Sequence, residues 1–210
     1  MFVAVVSALF VVSAVVAVSA ARRGARRVLY VFKPLTVVLV VALALLPKFP
    51  VSDFYRYAVV AGLLCSLAGD VFLMLPADRF VQGLACFLAA HACYVAAFAS
   101  GGGRAWHVWS LLPFAVYGGV MWLVLSPRLG GMRAPVAVYV GAILLMAWLA
   151  ASRWSLTRGA GSGLALAGAC LFVVSDSALA LDRFRGRFRG AQALTLGTYF
   201  AAQWLIALST

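Results

Sequence analysis

Tyr57–Leu75, YAVVAGLLCSLAGDVFLML, decides how the rest of the chain is read. At about 1.5 Å per residue a helix of this length crosses the roughly 30 Å hydrocarbon layer of a bilayer. One ionisable side chain, Asp70, lies inside the run. Such a group is costly there, about 2.5–3.5 kcal/mol at mid-span on insertion scales, so it marks a buried partner or a functional site.

Working outward, further runs of the same kind fill the chain. The predicted spans are 2–20, 28–46, 57–75, 80–99, 107–125, 134–151, 161–181 and 191–208, each bounded by charge, Pro or Gly. They take up about 160 of the 210 residues, and no loop is long enough to hold a soluble domain. Composition agrees: 66% of residues are apolar and 10% charged, against about 45–50% and about 25% in soluble domains. The mean hydropathy is +1.06. The fold class is therefore all-α, a polytopic membrane helix bundle with eight transmembrane helices, forming a single membrane-embedded domain over residues 1–210. Soluble enzymes, disordered chains and nucleic-acid modules are excluded despite the net charge of +12, because the basic residues fall in the gaps between apolar runs.

Those gaps also predict orientation. Loops one, three, five and seven carry 11 Lys and Arg against 5 in loops two, four and six. The positive-inside rule places the odd loops in the cytoplasm and both termini outside, in an integral protein of the cell membrane. Val18-Ser19-Ala20 looks like a signal-peptide cleavage site, but the basic residues Arg22, Arg23, Arg26 and Arg27 follow the apolar run where a signal has them in front. The first span is read as retained.

A repeat is visible as well. Cys65-Ser-Leu-Ala-Gly-Asp70-Val-Phe-Leu-Met-Leu, closing on Asp78-Arg79-Phe80, resembles Cys170-Leu-Phe-Val-Val-Ser-Asp176-Ser-Ala-Leu-Ala-Leu, closing on Asp182-Arg183-Phe184. The copies are spans three and seven, an even offset, which predicts two parallel four-helix halves. The four cysteines, Cys65, Cys86, Cys93 and Cys170, lack C-x-x-C spacing and are read as small buried hydrophobes.

Lys33, Asp70, His91 and Asp176 are the ionisable residues inside spans. Asp70 and Asp176 lie about five residues before the ends of spans three and seven, and Lys33 about five residues into span two from the same side. All three are then ~8 Å below one boundary, forming a charged layer. His91, ~16 Å deep, lies beneath it. Phe80, Gly83, Leu84, Phe87, His91, Tyr94 and Phe98 share a helix face. Gln192, Thr195, Tyr199 and Gln203 form a second stripe, and Gly62, Ser66 and Asp70 a third whose small residues admit a neighbouring helix. Three such stripes would enclose a wet cavity. The plainer reading is a buried ion cluster that fixes helix register, with Tyr199 and Gln203 bonded to neighbouring helices. No metal site is predicted, since no H-x-x-x-H or Cys pairing accompanies the acids. His107, among Trp106 and Trp109, reads as an interfacial anchor. The Arg183, Arg185, Arg187 and Arg189 alternation reads as a topology and anionic-lipid contact signal.

Taken together, Lys33-Pro34-Leu-Thr36, Ser66-Leu-Ala-Gly69-Asp70-Val-Phe-Leu-Met74, Phe80-x-x-Gly83-Leu84-x-x-Phe87-x-x-x-His91-x-x-Tyr94, Ser175-Asp176-Ser-x-Leu-Ala180 and Tyr199-x-x-Ala-Gln203 resemble the YhhN-like lysoplasmalogenase family of integral membrane proteins. The resemblance runs from Lys33 to Gln203. It implies an eight-span bundle, without a cofactor, that hydrolyses the vinyl ether of a lysophospholipid, a lysoplasmalogen, to a fatty aldehyde and glycerophosphoethanolamine or glycerophosphocholine. Vinyl ether cleavage begins with protonation of the β-carbon, giving an oxocarbenium ion that water captures. Two aspartates of unequal acidity suit that chemistry, as paired carboxylates do in glycosidases. Asp70 and Asp176 are the expected catalytic pair with His91, and Lys33, Tyr94, Ser175, Tyr199 and Gln203 the expected substrate contacts. The competing class is a proton-coupled transporter or lipid-handling membrane protein, since intramembrane Asp, Lys and His also mark carriers.

Overall fold

The computed structural model describes residues 2–46, 48–49, 51–100 and 108–210. Eight α-helices run through them: α1 (Phe2–Arg23), α2 (Arg26–Ala44), α3 (Asp53–Met74), α4 (Phe80–Ala99), α5 (Leu112–Leu125), α6 (Arg133–Thr157), α7 (Ala160–Ala180) and α8 (Ala191–Leu208). Seven of these, α5 together with its flanking 3-10 turns, are long and apolar enough to cross a membrane. The polar residues Gln192, Thr195, Thr198, Tyr199 and Gln203 set α8 apart. Helix ends differ from the predicted spans mainly at α3, which already begins at Asp53, at α5, whose α-helical turns begin only at Leu112, and at α6, which continues past residue 151 to Thr157; α7 ends within one residue of its predicted end and passes into a π turn over Leu181–Arg185.

Six helices close a ring in the order α2, α3, α4, α6, α7, α8, with the most extensive pairings between α3 and α4 and between α7 and α8. α1 covers α2 and α8 from outside, and α5 rests principally on α6. Glycines permit the close pairings. A β-carbon at Gly69 would lie 2.8 Å from the Phe87 ring, and one at Gly168 would lie 2.8 Å from the Ala202 carbonyl. Without hydrophobic attraction between helices in lipid, such backbone approach is a main source of packing energy. Gly62 serves differently from expectation, since the Tyr94 ring and not a helix backbone fills the space above it.

The ring interior is aromatic. Phe172 is fully buried and touches His91 edge-on at 4.8 Å and Tyr199 edge-on at 5.5 Å between centroids, geometries that suit the ring quadrupoles. One end is closed: Thr210 is buried, its carbonyl accepts from the Lys48 amide at 2.8 Å, and Tyr55 bonds Ser209 at 2.7 Å. The other end gathers loops one, three and seven around an opening. The cysteines are all free, and none is buried as expected: Cys65, Cys86 and Cys93 are half-buried, and one side of α7 leaves Cys170 exposed. An apolar thiol there costs little if that side faces hydrocarbon.

Candidate active site

A cavity of about 1220 Å³ enters the bundle from the open end. Its rim holds Arg22, Arg26, Arg79, Arg183 and Arg187, and its inner wall includes Lys33, Asp70, Ser175, Asp176 and Tyr199. The charged layer predicted from depth is therefore one wall of one cavity, and both aspartates face it.

Asp70 is placed by α3 and is almost fully buried. Its Oδ1 lies 3.0 Å from Lys33 Nζ, and its Oδ2 accepts from the Tyr199 hydroxyl at 2.7 Å. Lys33 is itself buried, on α2 immediately before Pro34. Pro34 lacks the amide that would bond the Tyr30 carbonyl, while the hydroxyls of Thr36 and Ser13 gather on the Phe32 carbonyl at 2.6 and 3.3 Å. Three helices thus converge on one carboxylate that is paired on both oxygens.

Asp176, on α7, is less deeply buried, with 13% of its side chain exposed. Its Oδ2 accepts a hydrogen bond from the Tyr139 hydroxyl and lies 3.4 Å from His91 Nε2. His91 Nε2 is also 3.0 Å from the Tyr139 oxygen, while its Nδ1 is buried with no partner among the described residues. Oδ1 of Asp176 carries no hydrogen bond among those residues. An imidazole that donates from Nε2 to Tyr139, which donates in turn to Asp176, satisfies Nε2 and Oδ2 and leaves Nδ1 as an acceptor without a partner among the described residues. No Lys or Arg among the described residues pairs with Asp176.

Tyr139 is not among the residues that the sequence pattern marks. It is the single hydroxyl-bearing side chain in span 134–151, and that isolation was the available signal. Ser175 lines the cavity and donates to the Thr195 carbonyl at 2.9 Å, tying α7 to α8. Tyr94 donates to Gln203 Oε1 at 2.7 Å, and both are fully buried behind the cavity wall together with His91. Gln203 Nε2 is unpaired among the described residues. His107 lies outside the described residues. No group of three or more His, Cys, Asp or Glu among the described residues is placed to hold a metal ion.

A ring of membrane helices with a polar cavity entered from one end, and with ionisable groups converging inside it, defines an integral membrane protein built around a buried site. The YhhN family profile matches residues 28–210, and the chain belongs to that family. A membrane protein YhhN of Escherichia coli O157:H7 is 34% identical over 198 residues, 94% of each chain. Lysoplasmalogenase TMEM86A of Bos taurus is 37% identical over 156 residues, covering 72% of this chain and 64% of its own. Lysoplasmalogenase TMEM86B of Homo sapiens is 37% identical over 158 residues, covering 75% and 65%. The match thus spans about two thirds of these two relatives. No solved structure matches the chain.

Proposed function

We propose that the protein hydrolyses the vinyl ether bond of lysoplasmalogens, with Asp176 as general acid and Asp70 as the ionised partner. The observation that carries this reading is the unequal surroundings of two carboxylates in one cavity. Asp70 has a buried ammonium 3.0 Å away, so its negative charge is compensated. Among the described residues Asp176 has no Lys or Arg beside it and no partner on Oδ1, where a transferable proton can sit while Oδ2 is held by Tyr139.

The chemistry follows from those positions. Asp176 gives its proton to the β-carbon, the π electrons form the new C–H bond, and positive charge develops on the ether oxygen and the α-carbon. Asp70 stabilises that charge. Water attacks the α-carbon and passes a proton to Asp70. When the hemiacetal collapses, Asp70 returns that proton to the glycerol oxygen and the hemiacetal hydroxyl restores the proton of Asp176. One water is consumed, and aldehyde and alcohol leave. Tyr139 and His91 position Asp176 from behind, and Tyr199 does the same for Asp70. The rim arginines suit the phosphate of the head group, by charge and by bidentate geometry. Lys33, already committed to Asp70, serves the carboxylate.

On this reading α8 crosses the membrane as an eighth span, its polar stripe turned to the cavity, and the rim faces the cytoplasm of a cell-membrane protein with both termini outside. The basic excess of the odd loops supports that orientation.

Hydrolysis of lysoplasmenylethanolamine by detergent-purified protein in heavy water tests the reaction and the mechanism together. The protonated β-carbon becomes C2 of the aldehyde, so one solvent deuterium is expected there beyond the label taken up by free aldehyde in the same buffer. A carrier yields no product under these conditions. Aldehyde without that deuterium would remove the general-acid assignment.

A further inference from the structure

A second, apolar crevice lies beside the polar cavity, between α4, α5, α6 and α7. Leu73, Phe80, Phe87, Asp176 and Leu179 border both spaces, whereas Asp70 borders the polar one alone. Asp176 stands at the junction, Tyr139 beside it on the crevice side, and beyond them the walls are Met121, Val140, Ile143, Leu144 and Val173. Gly118 shapes the outer wall: a β-carbon there would collide with the tip of Leu144. α5 rests mainly on α6 and is pinned to α7 by a 2.7 Å bond between Tyr117 and Ser177.

The free volume of the crevice is about 60 Å³, room for a handful of groups of methylene or water size at on the order of 10–15 Å³ each. That cannot enclose a whole fatty chain. The outer faces of the flanking helices are apolar and exposed at Val81, Val116 and Val120, so a chain leaving the crevice between α4 and α5 stays in apolar surroundings.

We infer that this crevice seats the first few carbons of the substrate's hydrocarbon tail, and that the remainder of the tail lies outside the protein, in the bilayer, beyond the α4–α5 gap. The inference rests on the lysolipid hydrolase reading. The scissile vinyl ether joins an apolar tail to a polar glycerol, and its β-carbon is on the tail side. A side chain bordering both spaces is the one placed to protonate that carbon, and Asp176 is that side chain. The enzyme on this account reads the tail near the ether and is indifferent to its far end.

Two measurements test this. The first uses wild-type protein in nanodiscs with a saturated-ether lysolipid whose tail carries a diazirine close to the ether. Labelling that excess unlabelled ether lysolipid displaces should fall on α5 and α6, at or beside Met121, Val140 and Leu144. Displaceable label on α1, α2 or α8 instead would overturn the seat. The second compares kcat/KM for a substrate with a methyl branch beside the vinyl ether against the straight-tailed one. Leu144→Ala, which widens the crevice, should raise that ratio at least ~10-fold, the lower end of what one methylene is worth in an apolar pocket. Gly118→Ala, which pushes Leu144 inward, should lower it. Unchanged ratios in both variants would overturn the inference, and the photolabelling result decides if neither variant folds. Displaceable label in the crevice without vinyl ether hydrolysis would uphold the seat and remove the reaction; hydrolysis with label elsewhere would do the reverse.

Discussion

Asp70 and Asp176 stand at matching places near the ends of α3 and α7, in similar local sequence, and face the same cavity. Their surroundings nevertheless differ in each component that sets chemistry. Asp70 is 1% exposed, with a lysine on one oxygen and a tyrosine hydroxyl on the other. Asp176 is partly open, with a tyrosine and an imidazole crowding one oxygen and the other unoccupied among the described residues. One nest is built to hold a charge, and the other leaves a position for a proton. Similar sequence on two helices thus yields unlike groups because the partners come from elsewhere: Lys33 and Tyr199 from α2 and α8, Tyr139 and His91 from α6 and α4.

The largest expected effect comes from breaking the Asp70 nest. Asp70→Asn leaves the Lys33 ammonium buried without its counter-charge, which costs ~3–5 kcal/mol in comparable buried pairs. It also removes the ionised partner, and turnover should fall at least ~100-fold, the low end of acid–base contributions. Adding Lys33→Met to Asp70→Asn should restore thermal stability in detergent and leave activity lost. Restored activity in the double variant would mean that the pair is structural only.

Asp176→Asn is the complementary break. Turnover should again drop at least ~100-fold, but no buried cation is orphaned, and Asn can still accept from Tyr139. Stability should change by less than ~1 kcal/mol, the scale of one exchanged hydrogen bond. A stable variant with near-normal activity would remove Asp176 from the chemistry.

A finer test separates the partners of the two acids. Tyr139→Phe removes the hydroxyl that holds Asp176, a hydrogen bond to a potentially charged acceptor worth ~1.5–3 kcal/mol, so kcat should fall ~10-fold with the pH dependence of kcat displaced. Tyr199→Phe acts on a carboxylate that Lys33 still holds, and the loss in kcat should be smaller. Equal losses would mean that the lysine does not distinguish the two sites.

Much of this was legible in the sequence. Ionisable groups are rare and costly in apolar spans, so Lys33, Asp70 and Asp176 stand out, and counting residues from the span ends puts them at one depth. Depth says nothing of azimuth, however. Which stripe meets which depends on how six helices close a ring, so the pairing of Tyr199 with Asp70 and the withdrawal of Tyr94 and Gln203 behind the wall could not be read. Tyr139 went unseen because an isolated tyrosine in an apolar span looks like an ordinary packing residue, and its role arises only where α6 crosses α4 and α7. The crevice was hidden for the same reason, being a gap between elements and a property of none.

The smallest effect is expected at the rim, where nearly the same chemistry recurs in water. Asp78 and Arg183 pair at 2.8 Å, much as Asp70 and Lys33 do at 3.0 Å, and the bond links loop three to the π turn after α7 across the cavity mouth. Both rim side chains are exposed, at 66% and 43%, and an exposed pair contributes only ~0.2–1 kcal/mol, less in salt. Arg183 keeps a second support, its guanidinium lying 4.8 Å from the centre of the Phe80 ring. Asp78 occupies the left-handed region, with φ of 46°, which Asn adopts at least as readily. Asp78→Asn should therefore change stability by no more than ~0.5 kcal/mol. Removing one negative charge from a rim of arginines should, if anything, favour capture of an anionic phosphate, so KM at low salt should fall slightly and kcat stay unchanged, the difference fading as salt screens the rim. A large loss of kcat would show that the mouth is coupled to the acids, and that burial is not what separates a rim ion pair from a catalytic one.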